Sequence, residues 1–404
     1  MPRAAGRDKG RNNMSSKGEQ QRHARTANDL PGRVDGVCER LSLMTRSERR
    51  AESSDYVAQA LAAFAEAGLL DLASFEAEIS VVAADDIRCM AQVAERLSRH
   101  SHDLASVYMV NAILGGALIT IAATKEQKAQ LLPRLKQGTL QLAFAMTEPE
   151  AGPDAASLKM IARRDGDDFV LQGEKVYTTG AATADWIIGV ARAEEHAGSK
   201  RALSLFLVPK GADGLTITPM PKLAGGSHAS CHLLLQDVRV PGSHVLGGTE
   251  RLGNAWDILR VTGLLERLTV AAMSLGLASA IVERAVTFAT SRQQFGQSIV
   301  SYQAIQHKLV DMRMTETAMR LFVNEALAAI ERGSEADAAV SMAKCFCSER
   351  LQTLVGDGMR VMGGRGYFEM EEMARYYREA PFMLYAGGTV EIQKLLIART
   401  MGLA

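Results

Sequence analysis

Two changes of hydrophobic period divide this chain of 404 residues. From Ser53, apolar residues recur three and four apart, in DYVAQALAAFAEAGLLDL and again in DDIRCMAQVAERLSRHS. That spacing predicts amphipathic helices as far as about residue 140. Near residue 141 the period shortens. Eight β-prone runs follow, from LQLAFAMT to CHLLLQDVRVP, separated by turn clusters such as RDGDD and KGADG. Their number and spacing predict a small barrel or sandwich. After Gly253 the helical period returns. Helices are expected over about 255–292, 302–331 and 336–361, with a last one in EIQKLLIARTMG. Long helices joined by short loops make a bundle. The expected fold is mainly α with a central β-domain. Residues 1–50 read as a basic, disordered extension and 51–140 as an N-terminal helical domain. Residues 141–248 read as a middle β-barrel or sandwich, and 249–404 as a C-terminal four-helix bundle.

Composition narrows the function. Forty-six basic residues balance 46 acidic ones, so no field draws the chain to nucleic acid. Residues 1–28 hold seven Lys/Arg, two acids and no apolar core, which argues against a secretory signal. Five scattered cysteines make no disulfide framework. Cys345 and Cys347 lack a second pair or a nearby histidine, so no metal is expected. A cytoplasmic location is expected, with the mitochondrial matrix left open. Residues 104–123 carry no charge and are long enough to span a membrane. Ser106, Asn111 and the Gly115-Gly116 pair dilute that run, and no second one is counted. A helix apolar all round also suits the centre of a large domain, so no membrane span is expected.

Two places carry candidate chemistry. The string Met146-Thr147-Glu148-Pro149-Glu150-Ala151-Gly152-Pro153-Asp154 follows a β-prone run and cannot continue it. Its prolines and glycine predict an open turn with free backbone N–H donors, suited to the edge of a planar heteroaromatic ring. An ordinary loop is the alternative. Glu266 lies in the apolar run TGLLERLTVAAMSLGLA, with Thr262, Gly263, Thr269 and Val270 as its helical neighbours. None is a cation, and Arg267 diverges from it on a helix. A carboxylate in such a setting has a raised pKa and is a better base. A solvent-facing or distantly paired glutamate is the alternative.

The strings taken together resemble the flavin-dependent acyl-CoA dehydrogenase family, from about residue 55 to the C-terminus. AFAMTEPEAGPD (143–154), LLLQDVRVP (233–241), SRQQFGQSI (291–299) with YQAIQHKLVDM (302–312), GMRVMGGRGY (358–367) and YAGGTVEIQ (385–393) stand in the family's order. The resemblance implies FAD, with Phe144, Met146, Thr147, Tyr177, Thr178 and Thr179 against the isoalloxazine. It implies that Arg292, with Gln294 and Phe295, reaches the FAD pyrophosphate of a neighbouring subunit. Gln303 would touch the adenosine, and Gly363 and Gly364 would let the backbone approach beside Arg360. Thr389 and Glu391 would complete the cofactor set, Glu391 also being a rival acid. Pro153 replaces the family's serine near cofactor and substrate. A homotetramer is the family's usual assembly.

Most family members carry the catalytic glutamate in the C-terminal loop, where this chain has Gly387. A minority, including isovaleryl-CoA and long-chain dehydrogenases, place it on the long helix in a Leu-Glu-Arg-Leu string. Leu265-Glu266-Arg267-Leu268 is similar to that string. The resemblance therefore implies Glu266 as the base. The thioester oxygen would be held by the Gly387 backbone N–H and a flavin ribityl hydroxyl. Leu264, Leu265, Arg267, Gly388 and Pro153 would border the substrate. The expected reaction is α,β-dehydrogenation of an acyl thioester, on CoA or a carrier protein, to the trans-2-enoyl thioester. Flavin N5 would take the β-hydride, and an electron-transferring flavoprotein the electrons. Two alternatives stay open: a flavin oxidase or monooxygenase on the same fold, and a silent partner subunit. Pro153 and a family loop missing near residues 70–79 speak for the latter.

Overall fold

The computed structural model describes residues 29–42, 53–76, 78, 81–152, 154–194, 202–333 and 336–403. The disordered lead-in expected over residues 1–28 and the Pro153 departure lie outside these residues, as does part of the region near 70–79.

The N-terminal part is helical: α1 (Leu30–Ser42), α2 (Ser53–Glu66), α3 (Ala84–His100), α4 (His102–Tyr108), a π-helical stretch Met109–Gly116, α5 (Ala117–Ala122) and α6 (Lys125–Lys136). Helix α1 corrects the reading of residues 1–50 as a disordered extension. Leu30, Val34, Val37 and Leu41 form one stripe, and all are buried. Pro31, Gly32 and Gly36 hid that stripe by lowering helix propensity, yet proline is tolerated in a first turn.

The uncharged run becomes α4, the π-helical stretch and α5, and 94% of its apolar window is buried inside the protein. Its diluting residues each make a contact. Asn111 donates through Nδ2 to the Val107 carbonyl (2.9 Å) and accepts through Oδ1 from the Leu142 N–H (2.7 Å), tying this helix to the first strand. A Cβ on Gly115 would sit 2.4 Å from Leu142 Cδ1, and one on Gly116 2.4 Å from Phe75 Cζ. A second helix, Ala255–Ser291, also passes the spanning test, and its apolar window is 83% buried. That corrects the count of one such run. Charges near its ends masked the uncharged middle over residues 268–282.

The middle domain is one curled sheet of seven strands: β1 (Leu142–Ala145), β2 (Ile161–Asp165), β3 (Asp168–Thr179), β4 (Trp186–Ala193), β5 (Leu203–Pro209), β6 (Leu215–Met220) and β7 (Ser230–Pro241). The order is β1-β4-β2-β3-β7-β6, with β5 on β4; β1 and β2 run parallel to β4, and the other pairs are antiparallel. Eight runs became seven strands because DFVLQG and KVYTTG are one strand. Gly173 between them is a bulge (φ 142°), where a Cβ would lie 2.9 Å from Met160 Cα.

The C-terminal part opens with α7 (Ala255–Ser291). A tight hairpin, β8 (Gln293–Gln294) and β9 (Gln297–Ser298), leads to α8 (Gln303–Arg332) and α9 (Ala336–Met362). Two short helices, α10 (Glu372–Glu379) and α11 (Phe382–Tyr385), precede α12 (Val390–Thr400). Helices α7, α8, α9 and α12 form the bundle, and α3 packs along α7. At that crossing a Cβ on Gly276 would lie 1.9 Å from the Glu95 carbonyl, so only glycine allows it.

Candidate active site

Glu266 lies half-buried on α7. The threonines one turn either side do not serve it. Thr262 Oγ1 donates to the Ile258 carbonyl and Thr269 Oγ1 to that of Leu265. A Cβ on Gly263 would meet nothing within 4 Å, so space is open one turn back.

The loop between α11 and α12 lies against this turn. Gly387 (φ 67°) and Gly388 (φ 85°) adopt left-handed backbone that disfavours a side chain. A Cβ on Gly387 would touch Val270 Cγ2 at 3.4 Å and the Arg267 backbone at 3.5 Å. The Gly387 backbone N–H lies close enough to the Glu266 carboxylate to favour its charged form. Burial pushes the Glu266 carboxyl above its ordinary value, while Arg267, the Gly387 N–H and Lys344 pull it back. Among the described residues no ion pair is formed by Glu266.

The same loop is anchored from below by two buried side chains that sequence reasoning missed. Gln393 Nε2 donates to the Gly387 and Gly388 carbonyls, each at 3.3 Å. Lys344 Nζ donates to the Leu384 (3.0 Å) and Gly388 (2.7 Å) carbonyls. A signal for Lys344 exists: it interrupts the stripe Val340, Cys347, Leu351, all of which are buried.

Of the expected substrate neighbours, Leu265 is buried in the core, Leu264 packs at its edge and Gly388 is exposed. Arg267 turns to α9, where its Nη2 meets Asp337 Oδ1 at 2.8 Å. Thr389 caps α12 by accepting the Ile392 N–H (3.4 Å). Glu391 is exposed in that first turn, and its carboxyl is held below the ordinary value by its own backbone N–H and the Thr389 hydroxyl.

The expected flavin residues form a second wall. The turn after β1 is fixed by a buried ion pair. Lys175 Nζ reaches Glu148 Oε1 and the Met146 carbonyl, both at 2.8 Å. Glu148 also accepts the backbone N–H groups of Lys159 (2.6 Å) and Met160 (2.9 Å). Not all the turn's amides are free: those of Glu148 and Ala151 bond each other's carbonyls. The Val176 N–H donates to the Thr147 carbonyl (2.9 Å), joining turn to strand.

Beside that junction β3 bulges again, between Lys175 and Thr178. Tyr177 takes φ 59° there, and its side chain is 67% exposed. A left-handed aromatic held out of the sheet is strained backbone of the kind found at ligand sites. Thr178 is buried, and its Oγ1 has no hydrogen-bond partner among the described residues. Thr179 Oγ1 instead meets Ser230 Oγ at 2.9 Å. An open aromatic face, an orphaned hydroxyl and the half-buried Thr147 fit one edge of a flavin. Phe144 and Met146 are half-buried and pack on the same apolar cluster as Leu264 and Ala386, so both walls border one core.

The remaining expected cofactor residues stand apart from these walls. Arg292 follows α7, about 26 residues and about 39 Å along the helix from Glu266. Arg284, Phe288, Ser291, Arg292, Gln293 and Arg365 border a cleft of about 380 Å³. Arg284 and Arg365 share Glu371, leaving an excess of positive charge. Phe295 is 93% exposed at φ 53° on the hairpin tip, with Gln294 beside it, and Gln303 is exposed. Gly363 and Gly364 lie on the surface, where a Cβ on either would meet nothing within 4 Å. Arg360 is exposed, 3.6 Å from Asp357.

This architecture matches a known class of oxidoreductase. Three family models cover the chain: acyl-CoA dehydrogenase N-terminal domain over residues 36–139, middle domain over 143–238 and C-terminal domain over 256–402. The protein belongs to the acyl-CoA dehydrogenase family, whose members are FAD-dependent oxidoreductases acting on CH–CH groups. It is 34% identical to a 3-(aryl)acrylate reductase of Clostridium sporogenes over 78% of this chain and 83% of that one. It is also 34% identical to a probable acyl-CoA dehydrogenase of Bacillus subtilis over 73% of this chain and 77% of that one. Butyryl-CoA dehydrogenase from Megasphaera elsdenii superposes with a TM-score of 0.83 at 26% identity, covering 93% of this chain and 98% of that one.

Proposed function

We propose that this protein oxidises the Cα–Cβ bond of an acyl thioester to the enoyl thioester, with Glu266 as the base that removes the α-proton. One observation carries the reading. A carboxylate with a raised pKa lies beside the Gly387 backbone N–H, on a loop packed against its own helical turn and without the acid that most of the family places there.

A thioester α-proton is far less acidic than a carboxylic acid. Its removal needs donors preorganised where negative charge develops, at the thioester oxygen. Gly387 supplies one through its main chain, so the role needs no side chain at that position. With the thioester oxygen on this N–H, the pull of that N–H on the Glu266 carboxylate weakens and Glu266 becomes the stronger base. The apolar surroundings of Leu265 and Val270 keep it dehydrated. FAD, when bound, accepts the β-hydride. Thr147, Tyr177 and Thr178 would hold the ring edge, and Arg292 a phosphate. About 39 Å of helix separates Glu266 from Arg292, so the two sets serve one cofactor only if two copies share it. Phe295 on the hairpin tip, with Val310, Met314 and Leu321 exposed along α8, supports an oligomer, for which we propose the family's tetramer. An electron-transferring flavoprotein is the proposed acceptor.

The test is anaerobic mixing of FAD-loaded protein with a panel of acyl thioesters, on CoA and on carrier phosphopantetheine. Bleaching of the flavin absorbance by at least one is expected. Glu266→Gln should keep FAD but bleach at least about a hundredfold more slowly. Equal bleaching by that variant excludes Glu266 as the base.

A further inference from the structure

Lys344 is the least expected group near the base. It lies about a third of the way along α9 with no surface exposure. Both of its acceptors are backbone carbonyls, those of Leu384 and Gly388. No carboxylate among the described residues forms an ion pair with it. Burying an ammonium carries a large desolvation penalty, and two carbonyls offset only part of it. A glutamine would bond carbonyls without carrying charge into the core.

The placement of those bonds gives the charge a use. Leu384 and Gly388 flank the segment that contains the Gly387 N–H. Drawn to the ammonium on one side of the loop, their carbonyls fix the peptide planes two units before and two units after that donor. Gln393 holds the Gly387 carbonyl as well.

Building on the dehydrogenase reading, we propose that Lys344 is a positioning residue for this reaction. Its ammonium clamps the loop so that the Gly387 N–H faces the thioester oxygen, and its charge favours the negative charge that develops there. The electrostatics agree in direction. Burial lowers the Lys344 ammonium to about 8, with Glu266 among the carboxylates that partly oppose the shift. In turn Lys344 is one of the groups that hold the Glu266 carboxyl down. From Arg267 and Glu391 the same site also feels a cation held by Asp337 and a carboxylate at the start of α12.

The sign of the pH effect follows. Turnover rises as Glu266 loses its proton and falls near pH 8 as Lys344 loses its own. Removing the cation moves the acid limb upward and abolishes the alkaline limb.

The experiment compares wild type, Lys344→Gln and Lys344→Met as FAD-loaded oligomers. Rates of flavin bleaching at saturating thioester are measured against pH. The carbonyl stretch of a bound enoyl-CoA is recorded separately. The expectation for Lys344→Met is a rate at least about tenfold lower with near-normal enoyl-CoA affinity, and a carbonyl stretch shifted back toward that of free thioester. Lys344→Gln should keep much of the clamp yet lose the alkaline limb. The proposal is overturned if both variants retain the wild-type pH profile and carbonyl stretch. It is also overturned if Lys344→Met loses only FAD or thermal stability while Lys344→Gln is indistinguishable from wild type. Glu266→Gln in the same series separates the two claims: slow bleaching there keeps the base assignment whatever Lys344 does, and normal bleaching removes both.

Discussion

Two buried lysines each hold one wall of the site, and they do it differently. Lys175 fastens the turn after β1 and meets a carboxylate, Glu148, at 2.8 Å. Lys344 fastens the loop beside Glu266 and, among the described residues, meets only carbonyls. Burial lowers both ammonium groups to about 8. The charge of Lys175 is spent locally on an acid that also gathers two backbone N–H groups. That of Lys344 meets no carboxylate among the described residues and acts on Glu266, whose carboxyl it helps hold down. On the proposed reading, the wall beside the flavin is built for shape, and the wall beside Glu266 for electrostatics.

That contrast is exposed to test first at Lys175. Lys175→Met leaves Glu148 buried without its cation, and loss of one partner of such a pair costs about 3–5 kcal/mol. Urea denaturation should register that loss together with loss of FAD. A variant as stable as wild type would mean the two lysines do the same job. Arg292→Ala probes the region outside both walls. It should weaken FAD retention and assembly together, by about tenfold for one charge-assisted bond. Gel filtration with flavin absorbance reads both at once, and an unchanged yellow oligomer contradicts a site shared between copies. The smallest effect is expected at Tyr177. Tyr177→Gly relieves a left-handed backbone and should stabilise the apoprotein by about 1 kcal/mol while loosening the flavin. A thermal midpoint that falls instead would show that the strain reading is wrong.

Much of the fold was legible because it is periodic. The three long helices of the bundle lie within about a residue of where apolar spacing ends them, at Ser291, Arg332 and Met362. The strands were legible except at Gly173, where the end of one β-prone run is a bulge inside one strand. Helix α1 was missed because its apolar stripe runs through a proline and two glycines in a basic stretch. At the site, Glu266 was visible as an acid in an apolar run. Lys175 and Lys344 were not read, although each breaks a regular pattern. Lys175 continues the inward alternation of Phe169 and Leu171, and Lys344 the stripe of Val340 and Leu351. A charge among buried positions is a signal as strong as the lone glutamate, but its partners lie far off in the chain, and only the fold shows what it holds. The strained Tyr177 and the orphaned Thr178 hydroxyl depend on backbone geometry that no spacing encodes.

The central claim is that Glu266 takes a proton from the carbon beside the thioester. Incubating the FAD-loaded protein with its best thioester in deuterated water, without an electron acceptor, reads that step alone. Wild type should wash deuterium into the α-position, and Glu266→Gln, still yellow and assembled, should not. Equal α-exchange by the two proteins would contradict the account.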